Sequence, residues 1–152
     1  MYIQNLVLHN FKCFENMELD FHPNLTVIVG ANGSGKTSIM EGAAIAISTL
    51  FVKMDGLSGR SIDKSQAHLK AFSIGSTKDV QPQYPVTVKA SAVIGNEELA
   101  WARSLNKSTG STTVIDARNI IDIGVHFQEQ LRKGDTSLIL PVIAYYGTGR
   151  LW

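Results

Sequence analysis

Gly30-Ala31-Asn32-Gly33-Ser34-Gly35-Lys36-Thr37 fits G-x-x-x-x-G-K-[ST], the pattern of a phosphate-binding P-loop. The five residues before it, Leu25-Thr26-Val27-Ile28-Val29, are apolar or β-branched and predict a buried strand. The ten after it, Ser38-Ile39-Met40-Glu41-Gly42-Ala43-Ala44-Ile45-Ala46-Ile47, predict a helix. Strand, glycine loop and helix follow in the order that phosphate binding needs. The glycines let the backbone turn tightly and bring its N–H groups to phosphate oxygens. The helix N-terminus adds partial positive charge beneath the same anion. Lys36 is placed to reach the β- and γ-phosphates, and the Thr37 hydroxyl to ligate Mg²⁺. The competing reading is a glycine turn with a surface lysine.

Working outward on the N-terminal side, residues 3–8 form a short strand, and Asn10-Phe11-Lys12-Cys13-Phe14 a turn with aromatic anchors. Met17, Leu19 and Phe21 alternate with Glu18, Asp20 and His22, which predicts a second strand with one wet face. Two strands before the P-loop strand argue against a small nucleotide kinase, which usually opens on its P-loop strand.

On the C-terminal side, Ile39, Ala43, Ile47 and Leu50 make the predicted apolar stripe of the P-loop helix, which ends near Asp55-Gly56. Residues 57–85 are polar and read as loop, with a short helix over 65–72. Alternation over 86–105 about Gly95-Asn96 predicts an antiparallel hairpin. Residues 116–133 predict a helix with Asp116 as its N-cap, a stripe of Ile120, Ile123, Phe127 and Leu131, and Gly134 as its stop. Residues 137–146 predict a buried strand that Pro141 makes irregular.

Composition limits the alternatives. The chain has 152 residues, 44% hydrophobic and 18% charged, which describes a folded globular domain or part of a larger one. A net charge of +1 gives no bulk field for nucleic acid. A single cysteine excludes an internal disulfide and suits a reducing cytoplasm. No signal peptide or membrane-length apolar run is visible. His9, His22, His68 and His126 lack metal-ligand spacing. Cys13 reads as a small residue in a tight turn or as a reactive thiol beside Lys12. Trp101, Tyr145 and Tyr146 read as packing residues.

The first fifty residues, with Ile3-x-x-Leu6-x-Leu8-x-Asn10-Phe11-Lys12-Cys13-Phe14 ahead of the P-loop, resemble the N-terminal lobe of RecF/SMC/Rad50-type ABC ATPases. The implied fold is α/β, a P-loop NTPase of the ABC/SMC head type, first lobe, with a mixed sheet and an antiparallel β subdomain. Its parts would be 1–56 (strands, P-loop and helix), 57–85 (loop-rich insert), 86–105 (hairpin) and 116–152 (helix and strand leading to a second half). The ending Leu140-Pro141-Val142-Ile143-Ala144-Tyr145-Tyr146-Gly147-Thr148-Gly149-Arg150-Leu151-Trp152 is similar, more narrowly, to bacterial antiphage-defence ATPases of the Septu and retron kind.

By this resemblance Asn32, Gly33, Ser34, Gly35, Lys36, Thr37 and Ser38 would hold ATP, with Mg²⁺ on Thr37. Lys12 would lie beside the nucleotide; a solvated turn lysine is the equal alternative. Arg150 would lie between the lobes, or be a surface arginine. Two heads would sandwich ATP as a homodimer, with DNA or an HNH nuclease as further partner. The family's Walker B acids and its signature motif have no counterpart here. Thr113-Val114-Ile115-Asp116-Ala117 lacks the glutamate, and Leu57-Ser58-Gly59-Arg60 copies the signature's letters in the wrong place. The expectation is therefore a first lobe, truncated before its catalytic acids. The open alternatives are a nucleotide-binding regulatory or scaffold subunit without hydrolysis, and a small-kinase-type phosphotransferase.

Overall fold

The computed structural model describes residues 1–75 and 77–147. Four strands form one sheet in the order β2-β1-β5-β6: β1 (Tyr2–Phe11), β2 (Phe14–Asp20), β5 (Val86–Ile94) and β6 (Glu97–Leu105). All three ladders are antiparallel. Period-two alternation decides what faces inward. Leu6, Leu8, Val86, Val88, Ala90, Ala92, Trp101 and Leu105 point into the core. Leu6 sits opposite Ala90 and Ala90 opposite Trp101, so small and large side chains alternate across the strands. The β5–β6 hairpin turns on Gly95-Asn96 as its sequence predicts. Gly95 takes φ +62° and Asn96 does not go positive, the sign pattern of a type II′ turn.

Helix α1 (Lys36–Ser48) lies across the inner face. Gly42 permits the close approach, since a Cβ there would come within 2.6 Å of the Leu8 Cδ2. The helix buries more of its circumference than one stripe: Ser38, Gly42, Ala43, Ala44, Ile45, Ala46 and Ser48 are all buried. The predicted stripe is thus corrected. Ala43 and Leu50 are buried, but Ile39 and Ile47 are half-buried. Residues Thr49–Phe51 continue α1 as a 3-10 turn.

Helix α2 (Arg118–Arg132) packs against that turn and β6. Gly124 lies against the Leu50 carbonyl with no room for a Cβ. Ile120, Ile121 and Gly124 form its buried face, whereas Leu131, assigned to the stripe, is exposed. Asp116 is not the N-cap. A 3-10 turn over Ile115–Ala117 precedes α2 and moves the cap position to Ala117, with no side-chain capping bond. The helix ends as the sequence predicts. Gly134 takes φ +79°, its N–H donates to the Leu131 carbonyl, and Asp135 N–H donates to the Gln130 carbonyl, a Schellman pair.

Three further expectations change. The insert is not a loop with a short helix; it carries a hairpin, β3 (Leu69–Ile74) with β4 (Thr77–Pro82), after a 3-10 turn over Lys64–Gln66. Segment 25–29 has no ladder partner and is not a strand. Segment 137–146 is likewise unladdered. Both keep a strand's alternation: Thr26 and Ile28 are sheltered while Leu25, Val27 and Val29 are 72%, 70% and 84% exposed, and Ile143 is sheltered while Val142 is exposed. The pattern is present and the neighbouring strand is not, so the parallel part of a mixed sheet has no ladder among the described residues. No helix among the described residues is long and apolar enough to cross a membrane.

Candidate nucleotide-phosphate site

The glycine loop delivers its residues onto the start of α1. Gly33 and Gly35 take φ +82° and +91°, left-handed values that side chains disfavour. Gly35 is also the N-cap residue, so the chain passes directly from a left-handed glycine into the helix at Lys36. Any Cβ on Gly35 would meet the Phe14 ring and come within 2.7 Å of the Cys13 Sγ. The β1–β2 turn is thus pressed onto the loop. Lys36 Nζ donates to the carbonyls of Gly30 and Ala31, both at 2.7 Å, and so closes the loop into a ring.

A hollow of about 400 Å³ is lined by Lys12, Cys13, Asn32, Gly33, Gly35, Lys36, Thr37 and Ser38. All but Ser34 of the residues assigned to nucleotide binding line it. Ser34 lies in the same loop; its N–H donates to the Ala31 carbonyl at 3.2 Å, and its Oγ occupies the space beside Gly30. Cys13 Sγ donates to Ser38 Oγ at 3.7 Å across the floor. Two ammonium groups, one helix N-terminus and two hydroxyls meet on one hollow, a donor set of the kind that polyphosphates need. For Mg²⁺ the donor set fits: Thr37 supplies one hard hydroxyl oxygen at an exposed position, and this ion is normally completed by phosphate oxygens and water.

Lys12 is held from three sides. The residue takes φ +52°. Its N–H donates to the Gln66 carbonyl at 2.7 Å, and its carbonyl accepts from His68 Nδ1 at 2.8 Å. Its Nζ pairs with the Glu41 carboxylate, which also accepts from Gln66 Nε2 at 3.2 Å. Phe11 bridges to Ala67. Between β2 and β3, the Lys70 ammonium, by hydrogen bond and then by charge, holds Glu15 below the usual carboxylate range. Glu41, Gln66 and His68 hold Lys12 from outside the hollow and were not legible in the sequence. Glu41 reads as an ordinary helix-surface acid, and residues 66–68 sit in a stretch without periodicity.

Other predicted features lie elsewhere. Asp116 lines a separate hollow with Lys89 and Ser91 on the outer face of the sheet. The signature look-alike is an irregular, mostly exposed segment beside the end of α1: Arg60 N–H donates to Ser48 Oγ at 2.8 Å, and Gly59 abuts the Ser48 carbonyl. Trp101 is a core residue whose Nε1 donates to the Ala46 carbonyl at 3.1 Å. The Arg60 guanidinium stacks 5.0 Å from the centre of the Tyr145 ring. Arg150 lies outside the described residues.

A second, apolar hollow of about 620 Å³ shares Lys36 and Thr37 with the first, and is walled by Ile3, Phe21, Ile28, Met40, Ala43 and Ile47. Leu25 and Thr26 from the segment before the loop, and Tyr145, Tyr146 and Gly147 from the last described stretch, also line it.

Comparison with known proteins agrees with this geometry. The AAA domain family matches residues 5–152. "DNA replication and repair protein RecF" of Lactococcus lactis subsp. cremoris is 46% identical over 41 residues, 27% of this chain and 11% of that protein. RecF of Listeria monocytogenes is 44% identical over 41 residues, with the same coverage, and RecF of Clostridium acetobutylicum 46%. The chain thus spans about a tenth of the length of these relatives. A solved structure described as "Structural biochemistry of ATP-driven dimerization and DNA stimulated activation of SMC ATPases" superposes with a TM-score of 0.54 at 23% identity, covering 81% of this chain and 77% of that one, which shows the fold. A glycine loop leading into a helix laid across an antiparallel sheet, with the family's match running over nearly the whole sequence, places the chain in the AAA domain family.

Proposed function

We propose that this lobe binds ATP with Mg²⁺ and that, in the complete protein, two such heads close on ATP and part on its hydrolysis. The observation that carries the reading is the convergence of Lys12, Lys36, Thr37 and the Gly33–Gly35 backbone on one hollow at the N-terminus of α1. In this reading the loop N–H groups and Lys36 hold the phosphates, and Thr37 holds the metal. Bound ATP adds contacts that only the closed pair of heads completes, so it shifts the population toward the dimer. The acids that position the attacking water are proposed to come from beyond residues 1–152. Asp116, the acid nearest to a Walker B pattern, faces another hollow. That observation also supports a second reading, a nucleotide-binding regulatory subunit that does not hydrolyse.

The work served is proposed to be DNA-linked, in repair or in antiphage defence with an HNH nuclease, and cytoplasmic. The names of the RecF relatives support the first; the terminal segment supports the second.

The test is titration with a fluorescent ATP analogue. Lys36→Ala should weaken binding by about one to two orders of magnitude, since it removes charge-assisted bonds to phosphate. Unchanged affinity would remove the phosphate assignment.

A further inference from the structure

Glu41 is a carboxylate beside a site built for anions. It lies five residues into α1 from Lys36, half-buried, with its Oε2 against Lys12 Nζ. Gln66 Nε2 donates to the same oxygen. The backbone of Lys12 is fixed independently by Gln66 and His68, so its side chain can change partner without the turn moving. Lys12 lines the phosphate hollow, but Glu41 does not. One Nζ is therefore within reach of two classes of anion, a carboxylate behind it and a phosphate in front.

We propose that Glu41 is a positioning residue that competes with nucleotide phosphate for Lys12, so that polyphosphate binding exchanges the Lys12–Glu41 ion pair for a Lys12–phosphate contact. The inference rests on the nucleotide reading above and adds a regulating partner to it. Its physical basis is a fractional population. If Lys12 spends most of its time on Glu41, the apparent affinity for phosphate is reduced by the fraction that is free. Both side chains are partly exposed, so the pair is of modest strength and the reduction is limited. The exchange also has a structural reach. Gln66 closes the capping box of the 3-10 turn over Lys64–Gln66, and that turn leads into β3. A Glu41 freed from Lys12 keeps only Gln66, so occupancy of the hollow is felt at the root of the insert hairpin.

The experiment is an affinity comparison on the complete protein, with the fluorescent ATP analogue as probe and inorganic tripolyphosphate as competitor. Glu41→Gln keeps the shape and an acceptor for Gln66 and removes the charge. It should tighten both ligands by about two- to fivefold, the range a partly exposed ion pair allows. The gain should disappear in a Lys12→Gln background. Gln66→Ala should act in the same direction more weakly, which covers the case in which Glu41→Gln fails to fold. Three results overturn the exchange. One is no change in Glu41→Gln. Another is weaker binding, which would make Glu41 a support for Lys12. The third is a gain that persists in Lys12→Gln, which would make Glu41 a through-space repulsive charge. Lys36→Ala run in parallel separates the failures. If it binds as well as wild type, the nucleotide reading falls; if it loses binding while Glu41→Gln is inert, only the exchange falls.

Discussion

Thr37 sits where the phosphate hollow and the apolar hollow meet, and its hydroxyl is the one metal-suited oxygen the loop offers at that junction. Thr37→Val keeps the β-branched shape and removes that oxygen. Nucleotide affinity measured with Mg²⁺ should fall several-fold, on the order of one lost charge-assisted contact, while affinity measured in EDTA should hardly change. Equal loss under both conditions would show that Thr37 is not a ligand. At this scale the sequence was readable wherever one residue type is needed for one job. Gly33 and Gly35 are glycines because of their positive φ, and Lys36 and Thr37 follow at fixed offsets. Glu41 and Gln66 escaped because an acid or amide that finds its partner through tertiary packing, 25 residues away in that pair, carries no local signature.

Among the elements, β5–β6 was fully legible, since clean alternation and a Gly-Asn turn specify register together. The β3–β4 hairpin was not. Phe72 lies opposite Asp79 and Ala71 opposite Val80, so neither face is uniformly apolar and the period is hidden. Segments 25–29 and 137–146 were misjudged for the opposite reason. Their composition demands a strand, but a strand is a relation between two segments, and hydrogen-bonding partners are not encoded in either one. Their exposed amides should betray this. In hydrogen exchange, residues 25–29 should lose protection within the dead time, while the amides shared by β1 and β5 exchange slowly, with opening free energies near the global value. Slow exchange across 25–29 would mean that the segment is already paired.

For the molecule as a whole, the apolar hollow beside α1 and the exposed Leu25, Val27, Val29, Ile139 and Val142 are a liability. Surfaces of this kind seek another strand or another chain. Residues 1–152 expressed alone should be poorly soluble or partly molten by size-exclusion chromatography and near-ultraviolet circular dichroism. They should show no ATPase activity above background. A monodisperse 152-residue protein with steady turnover that is lost in Lys36→Ala would place a catalytic acid within this stretch and overturn the proposal that the acids lie beyond it. The N-terminus of α1 opens on the proposed phosphate site, and its other end is held just as firmly. Arg103, 3% exposed, points inward from β6, its Nε donating to the Thr113 carbonyl at 2.6 Å and its NH1 group to Thr49 Oγ1 at 3.4 Å, and burial pulls its pKa down. Trp101 grips the Ala46 carbonyl one turn earlier. A cation and an N–H donor at the carbonyl end meet the partial negative charge of the helix dipole favourably there. Alpha-helical geometry makes the 13-residue α1 about 20 Å long. It is a beam held at both ends, by β6 at the far support and by the turn of Lys12 and Cys13 that rests on Gly35 at the near one. A load applied at the phosphates should therefore pass along it to the sheet.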